Sequence, residues 1–518
     1  MTKAAGTVGA ATLLSRILGF LRDVAVAWFF GAGLAADAFF MAFTIPNLLR
    51  RLFAEGSLTI SFIPVFTEYL QRRGREEAFN LARSAWWLLA LILVMVTVLG
   101  IVLSPLIVRI VAPGFSGSLE KYDLTVLLMR IMFPYVFFIC LVALAMGILN
   151  ALGHFAAPAL APVLLNVAMI GSLFLISPHL ETPSAGLAIG VIIGGVLQLA
   201  LQIVVMTRKG FHLLVRSPLY HVAIKRIALL MTPAVFGAAV YQMNIFVGRF
   251  LASLLPEGSV SYLYYADRLV QFPLGVFAIA LATAVLPSLS RQAAAKDMNG
   301  LRASYAYALK LVFFISIPAM TGLIILRDPI VELLFERGAF DAVTTQRTAE
   351  ALVYYAIGLW AFSGARIVIA AFYALQETKT PVKIAVVSLL VNMVLSVALM
   401  GPMRHGGLAL ATSLASAVNL LLLTRALRKR LGGINGRDIV RSMLRSCLSS
   451  AVMGGAVAAG ALWAVPACEA NPWYLLAWVL GSVAGGAILY GGCAWLFRCP
   501  ELGALVDMVR TTIRKPRA

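Results

Sequence analysis

The chain has 518 residues, of which 61% are hydrophobic and 12% are charged, and its mean hydropathy is +0.93. Soluble globular domains have roughly 45–50% apolar and about 25% charged residues, so this composition excludes that class and indicates a polytopic membrane protein. The formal net charge of +20 is divided among separate loops. Because no single basic domain results, we expect no nucleic-acid partner.

Apolar stretches long enough to cross a hydrocarbon core of about 30 Å occur about fourteen times in the sequence. The predicted spans are residues 6–30, 35–66, 84–112, 124–150, 157–177, 185–207, 223–250, 260–289, 307–335, 347–375, 382–400, 406–424, 440–465 and 472–497. The second is long enough to break at Pro46 or to contain a short interfacial piece. The predicted fold class is therefore an all-α polytopic membrane protein with about 14 transmembrane helices.

Lysine and arginine are concentrated in alternate loops. They lie at residues 72–83, 208–226, 291–302, 425–445 and 510–517. The intervening loops, such as residues 31–33, 177–179 and 255–257, are short and carry no excess of positive charge. By the positive-inside rule, we expect both termini to be cytoplasmic.

The chain also matches itself at an offset of 221–224 residues, for example at Pro64 and Pro287 and at Pro105 and Pro329. Six spans separate the two copies, so both enter the membrane in the same orientation. This predicts two parallel six-helix repeats around a central cavity plus a C-terminal helix pair. The predicted regions are an N-terminal lobe at 1–210, a C-terminal lobe at 220–431, the additional pair at 438–498 and a basic cytoplasmic tail at 499–518.

Ionisable side chains lie inside several predicted spans, where a charge facing lipid costs roughly 2.5–3.5 kcal/mol or more. In the first span Arg16 and Asp23 share one helical stripe, and Ser15 and Arg22 share the next. The second and eighth spans each present a polar face as well. These faces contain Asp37, Thr44, Asn47, Arg50, Arg51 and Glu55 in the second span, and Tyr264, Asp267, Arg268 and Gln271 in the eighth.

Arginine outnumbers carboxylate in this set, which favours an anionic ligand such as a diphosphate, because guanidinium groups bind it bidentately. An alternative is that Arg16 with Asp23, or Arg268 with Asp267, forms a buried ion pair that only packs helices. Arg51 and Glu55 could also lie at the interface, with their charged groups reaching the water.

Catalytic chemistry finds little support in the sequence. Five cysteines show no paired spacing, five histidines show no metal-ligand spacing, and no Gly-rich Walker loop occurs. We therefore predict no metal, no cofactor and no catalytic residue, and a transporter rather than an enzyme. An intramembrane transferase with an arginine-rich diphosphate site remains an alternative.

Several motifs resemble one known family. They are residues 15–23 (SRILGFLRD), 30–33 (FGAG), 37–40 (DAFF), 46–51 (PNLLRR), 53–56 (FAEG) and 264–269 (YYADRL). Together they resemble the MurJ/MviN family of bacterial lipid II flippases, within the multidrug/oligosaccharidyl-lipid/polysaccharide exporter superfamily. The resemblance implies transfer of lipid II, an undecaprenyl-diphosphate-linked disaccharide pentapeptide, from the cytoplasmic to the periplasmic leaflet of the inner membrane by alternating access.

The resemblance also implies which residues bind the substrate. The implied cavity arginines are Arg16, Arg22, Arg50 and Arg268, with Ser15, Asp23, Asp37, Asn47, Ser261, Asp267 and Gln271 as supporting polar residues. Gln271 departs from the family, since many relatives carry an acidic residue there. Spans 7 and 11 contain no Asp or Glu, so the C-terminal copy lacks an obvious carboxylate for a cation.

The small residues of spans 13 and 14 predict either simple packing or an apolar groove for the polyprenyl tail. We expect lipid II and membrane lipids as partners, contact with the cell-wall synthesis machinery, and a monomer. Coupling to the membrane potential or to a monovalent cation is left open. The alternative function is a cation-coupled multidrug exporter or another polysaccharide-lipid flippase of the same superfamily.

Overall fold

A computed structural model describes residues 2–52, 58–215, 221–468, 472–503, 505 and 507, which are almost entirely α-helical and contain no strand. The helices are α1 (Thr2–Phe30), α2 (Leu34–Leu52), α3 (Leu58–Arg72), α4 (Arg75–Val111), α5 (Leu119–Met132), α6 (Tyr135–Ala151), α7 (Ala156–Leu175), α8 (Pro183–Arg208), α9 (Ala223–Ser253), α10 (Ser259–Pro273), α11 (Ile279–Ala294), α12 (Met298–Ile325), α13 (Arg327–Phe335), α14 (Ala342–Ala356), α15 (Leu359–Ala374), α16 (Lys379–Leu431), α17 (Gly436–Cys468) and α18 (Pro472–Leu496). A π-helical turn, Leu274–Ala278, joins α10 to α11.

By length and composition, eight described helical segments are able to cross a membrane, or nine if α14 and α15, bent by 42°, count as one. The class of fold is confirmed, whereas the count of fourteen stays a prediction. The 53-residue α16 contains two predicted spans that meet at Arg404, where φ is 49° and ψ is −130°. The predicted second span does not break at Pro46, because α2 continues through this residue to Leu52.

The internal repeat is visible in the positions of the helices. The paired helices α5 and α6 begin at Leu119 and Tyr135, and α14 and α15 begin at Ala342 and Leu359, 223 and 224 residues later. Each pair occupies one predicted span, so the same break interrupts both copies. In the first copy the break falls at Pro134, whose ring removes a helical hydrogen bond.

The described chain forms two compact units, which divide it between Ser261 and Tyr262. Unit 1 contains residues 1–261 and the short segment 337–340. Within it, α7 packs on α1 and α8, α2 packs on α5, and α9 packs on α2, α3 and α4. The prediction that the lobes divide at residues 210–220 is not tested by these contacts.

Unit 2 contains residues 262–336 and 341–518. Its core is formed where α12 packs on α15 and α17, with α11 and α16 against α15. The C-terminal pair, α17 and α18, packs against α12 through a small cluster around Phe314, Met453 and Tyr490. The Tyr490 hydroxyl donates a hydrogen bond to the Phe314 carbonyl at 2.8 Å. The pair is therefore part of unit 2.

Candidate functional site: the polar faces of α1, α2 and α10

The polar segment of α1 is fixed by one side chain from α7. The Arg22 guanidinium donates to the Asp23 carboxylate from Nη2 at 2.7 Å and to the Asn166 side-chain oxygen from Nη1 at 3.1 Å. The Asn166 amide in turn donates to the Ser15 backbone oxygen at 3.1 Å. The Arg22 and Asp23 side chains are only 14% and 4% exposed. Asn166 thus orients Arg22 and attaches α1 to α7.

Sequence reasoning missed Asn166. The available signal was a single amide in an otherwise apolar span, since a polar side chain at membrane depth usually has a partner. A Cβ at Gly19 would lie 3.5 Å from the Asn166 amide nitrogen, an ordinary van der Waals contact, so alanine would fit at this position.

Arg16 lies on the same helix in a different environment. It is exposed, and the described part of the chain gives it no ion pair, since Asp23 pairs with Arg22. Asp23 therefore pairs with Arg22, and the alternative of a packing ion pair between Arg16 and Asp23 is not found in this structure. Arg22 is a positioned cation and Arg16 an exposed one.

On α2, Asn47 and Arg50 come together one turn apart. The Arg50 Nε donates to the Asn47 side-chain oxygen at 3.0 Å, and both residues are half-buried. The neighbouring prediction for Glu55 falls outside the described residues.

Asp37, near the start of α2, is almost completely buried at 1% exposure. One carboxylate oxygen accepts from Lys121 Nζ at 2.7 Å and from the Gly258 N–H at 2.8 Å. The other accepts from the Ser261 N–H at 2.9 Å and from its hydroxyl at 2.7 Å. The carboxylate thus lies at the N-terminus of α10, where a negative charge is favoured by the helix dipole.

The sequence predicted Asp37 and Ser261 as supporting polar residues of a cavity, and the structure brings them into direct contact. It also adds Lys121 on α5, which the sequence analysis did not single out. The Lys121 ammonium lies 4.2 Å from the centre of the Phe115 ring, so the cation contacts both an aromatic ring and the Asp37 carboxylate. Four donors occupy the Asp37 carboxylate, which therefore joins α2, α5 and the start of α10.

In unit 2, the polar face of α10 forms two local pairs. The Arg268 Nη2 donates to the Tyr264 hydroxyl at 2.9 Å, and its guanidinium lies 4.8 Å from the centre of the same ring. Gln271 donates to the Asp267 carboxylate. The π-helical turn that follows Pro273 lies directly after this face, and such turns are frequent at functional sites.

The structure therefore brings together Arg22 with Asp23, Asn47 with Arg50, Asp37 with Ser261, and Asp267 with Gln271. That the four arginines form one cluster stays a prediction, as does their role in binding. Within the described residues, no three His, Cys, Asp or Glu side chains are grouped as metal ligands.

Comparison with known proteins now gives the family. The family model described as lipid II flippase MurJ matches residues 26–483. A probable lipid II flippase MurJ of Vibrio cholerae is 39% identical over 459 residues, which covers 87% of each chain. The lipid II flippase MurJ of Burkholderia cenocepacia is 39% identical over 428 residues, covering 82% of this chain and 83% of the relative.

Two solved structures are similar to this chain in fold. A lipid II flippase MurJ in an inward closed conformation has a TM-score of 0.80 and 28% identity, and covers 95% of this chain and 98% of its own. An inward-facing multidrug resistance transporter of the MATE family has a TM-score of 0.68, and covers 83% of this chain and 99% of its own. Its identity of 17% shows the fold alone. With residues 26–483 matched by the family model and 95% of the chain matched in fold, this chain belongs to the lipid II flippase MurJ family, a family of transporters.

Proposed function

We propose that this protein moves lipid II from the cytoplasmic to the outer leaflet of the bacterial inner membrane by alternating access. Family membership over residues 26–483 supports the substrate. The observation that carries the mechanism is the guanidinium of Arg22, which is held by Asp23 and Asn166 inside a helix of membrane-spanning length. Such a charge is costly at membrane depth unless it meets water or a partner, and the lipid II diphosphate is a partner of opposite charge.

In this proposal Arg16, Arg22, Arg50 and Arg268 bind the diphosphate during transfer. Arg22 and Arg50 are oriented by the side chains of Asn166 and Asn47. A guanidinium oriented in this way loses less side-chain entropy when it binds an anion bidentately. Asp23 limits the local excess of positive charge, so the site does not hold the substrate too tightly for release.

The tail of lipid II would lie along α18. Small residues of the C-terminal pair divide into two sets. Gly454 and Gly460 face neighbouring side chains, since added Cβ atoms would lie 2.7 Å from Ile325 and 2.8 Å from Trp478. Gly481 and Gly485 are exposed and meet nothing within 4 Å. The second set gives an apolar surface on which a polyprenyl chain packs while remaining in the bilayer.

We further propose that the protein acts as a monomer in contact with the cell-wall synthesis machinery, and that both termini are cytoplasmic. The distribution of Lys and Arg among the loops supports this orientation. The membrane potential or a monovalent cation would supply the energy.

A leaflet-specific assay of lipid II tests the function. Cells depleted of their own flippase and complemented with this chain should move labelled lipid II to the outer leaflet, whereas Arg268→Ala should not. Arg437→Ala is the matched control, because Arg437 is an exposed arginine at the start of α17. Accumulation of lipid II in the inner leaflet of cells that contain the intact chain at normal abundance would overturn the proposal.

A substitution at Gly485 tests the tail surface. Gly485→Leu adds bulk in open space, so we expect slower transfer of the long-chain substrate, unchanged transfer of a short-chain analogue and unchanged protein level. Equal loss for both substrates would favour packing as the role of the pair.

Labelling with an impermeant thiol reagent tests the orientation. In a variant without native cysteines, His179→Cys should react from outside and Arg428→Cys should not. Both positions are exposed. The reverse pattern would contradict the assigned direction of transport.

A further inference from the structure

The chain turns back on itself directly after α18. Arg498 adopts a left-handed conformation with φ of 52°, and the Cys499 N–H donates to the Ala494 carbonyl at 2.8 Å, which closes the helix end. Residues 500–503 are helical again. As a result Cys499 and Glu501 are only 6% and 3% exposed. A carboxylate from the end of the chain is thereby buried beside α17.

The two oxygens of Glu501 differ in their contacts. Oε1 accepts a hydrogen bond from the Ser442 hydroxyl at 2.8 Å, whereas Oε2 has no hydrogen-bond partner among the described residues. The adjacent Arg445 donates to the Arg498 backbone carbonyl at 3.1 Å. Burying a charge costs free energy unless the charge is paired or coordinates a metal. The Oε2 atom of Glu501 has no such partner among the described residues.

Hydroxyl groups continue inward from Glu501 along the same face of α17. Ser446, Ser449 and Ser450 follow Ser442 at helical spacing, and all are buried. Serine in a helix commonly donates to the carbonyl four residues earlier, yet within the described chain the hydroxyls of Ser449 and Ser450 make no such bond. Ser446 lies beside the Tyr490 hydroxyl, whose own proton is donated to Phe314.

We propose that Glu501, Ser442 and Ser446 bind a monovalent cation, with sodium as the ion. All donors are hard oxygen atoms, which suit alkali and alkaline-earth ions and not the softer transition metals. One carboxylate balances one positive charge, and no three Asp, Glu, His or Cys side chains are grouped here among the described residues, whereas a calcium site ordinarily uses several carboxylates. The proposed ligands lie at the C-terminal pair and are different residues from the arginines assigned to the diphosphate.

Thermal unfolding of the purified full chain, without lipid II, tests the site. Replacing choline chloride with NaCl at constant ionic strength should raise the melting temperature by about 2–4 °C at saturation, because an ion that binds only the folded state stabilises it. Glu501→Gln removes the charge that needs the ion, so this variant should show no response to sodium. Asp438→Asn, which removes an exposed carboxylate at the start of the same helix, should respond like the parent chain.

Direct binding of radioactive sodium gives a second readout should Glu501→Gln not fold. Ser446→Ala keeps the carboxylate and should weaken sodium binding about tenfold. A parent chain stabilised by acidification but not by sodium would show that a proton occupies Glu501, and would overturn the proposal. An unchanged sodium response in Glu501→Gln, or a response to MgCl2 alone, would overturn it as well. Because lipid II is absent from these measurements, their outcome is distinguishable from that of the flipping assay.

Discussion

Helices α1 and α9 occupy equivalent places in the two copies of the repeat, yet they differ in packing and in chemistry. They begin 221 residues apart, at Thr2 and Ala223, and are 29 and 31 residues long. α1 packs mainly on α7 of its own copy, whereas α9 packs on α2, α3 and α4. An offset of 222 residues, within the 221–224 of the repeat, places Asn244 of α9 opposite Arg22 of α1. The two copies have kept the length and position of the helix, whereas the Arg22–Asp23 ion pair of α1 has Asn244 and Ile245 at the equivalent positions of α9.

The N-terminus of α10, where the Asp37 carboxylate of α2 is bound, offers the largest expected effect. Asp37→Asn removes a carboxylate that four donors occupy and leaves buried Lys121 without its counter-charge. We expect a loss of about 3–5 kcal/mol in the free energy of unfolding. The purified protein's thermal unfolding would show it. The double variant with Lys121→Met should regain part of the stability, and no recovery would contradict the ion-pair explanation.

The ionic difference between α1 and α9 is tested at equivalent positions. Arg22→Ala should reduce the flipping rate about 10²-fold, since charge-assisted hydrogen bonds contribute roughly 1.5–3 kcal/mol each. Arg22→Lys should recover only part, because an ammonium lacks the planar fork. Asn244→Ala in α9 is the matched control and should retain activity at normal abundance. Equal losses of flipping activity at Arg22 and Asn244 would contradict a special role for Arg22 in substrate transfer.

At Gly31, directly after α1, we expect added side-chain volume to destabilise the fold. Gly31 has φ of 56°, and a Cβ there would overlap the Ala339 carbonyl oxygen. The Ala339 N–H already donates to the Trp28 carbonyl at 2.9 Å. Gly31→Ala should therefore destabilise the fold by about 2 kcal/mol. Denaturation should register this loss, whereas Gly6→Ala, in open space on the same helix, should not destabilise the fold, because alanine favours a helix over glycine.

The start of α9 gives the smallest expected effect. His221 accepts a hydrogen bond from the Ala223 N–H through Nδ1 and contacts the Glu77 carboxylate through Nε2, both at 3.1 Å. His221→Ala removes the acceptor of the Ala223 N–H at the start of α9 and a half-exposed hydrogen bond to the Glu77 carboxylate, so we expect a loss of about 1 kcal/mol. Glu77→Gln retains a hydrogen-bond acceptor and should cost less. Amide hydrogen exchange in the first turn of α9 should be accelerated more by His221→Ala than by Glu77→Gln.

Most of the helical scaffold was predictable from the sequence, because spans of lipid-facing residues must be apolar and long enough for the bilayer. The helix breaks within single predicted spans were harder to predict from the sequence. Pro134 signals the break between α5 and α6, but the equivalent break between α14 and α15 contains no proline. The sequence also identified Asp37 and Ser261 without their contact, since 224 residues separate them.

By itself, the sequence determined the class of protein, the duplicated order of its helices and the polar stripes of α1, α2 and α10, because hydropathy and helical periodicity are local properties. Only the tertiary structure decided which partners those stripes meet: Asn166 for Arg22, Lys121 for Asp37, and Ser442 for Glu501. These partners come from distant parts of the chain. Their pairing follows from the need to satisfy each buried charge once the helices pack, and local patterns do not record that requirement.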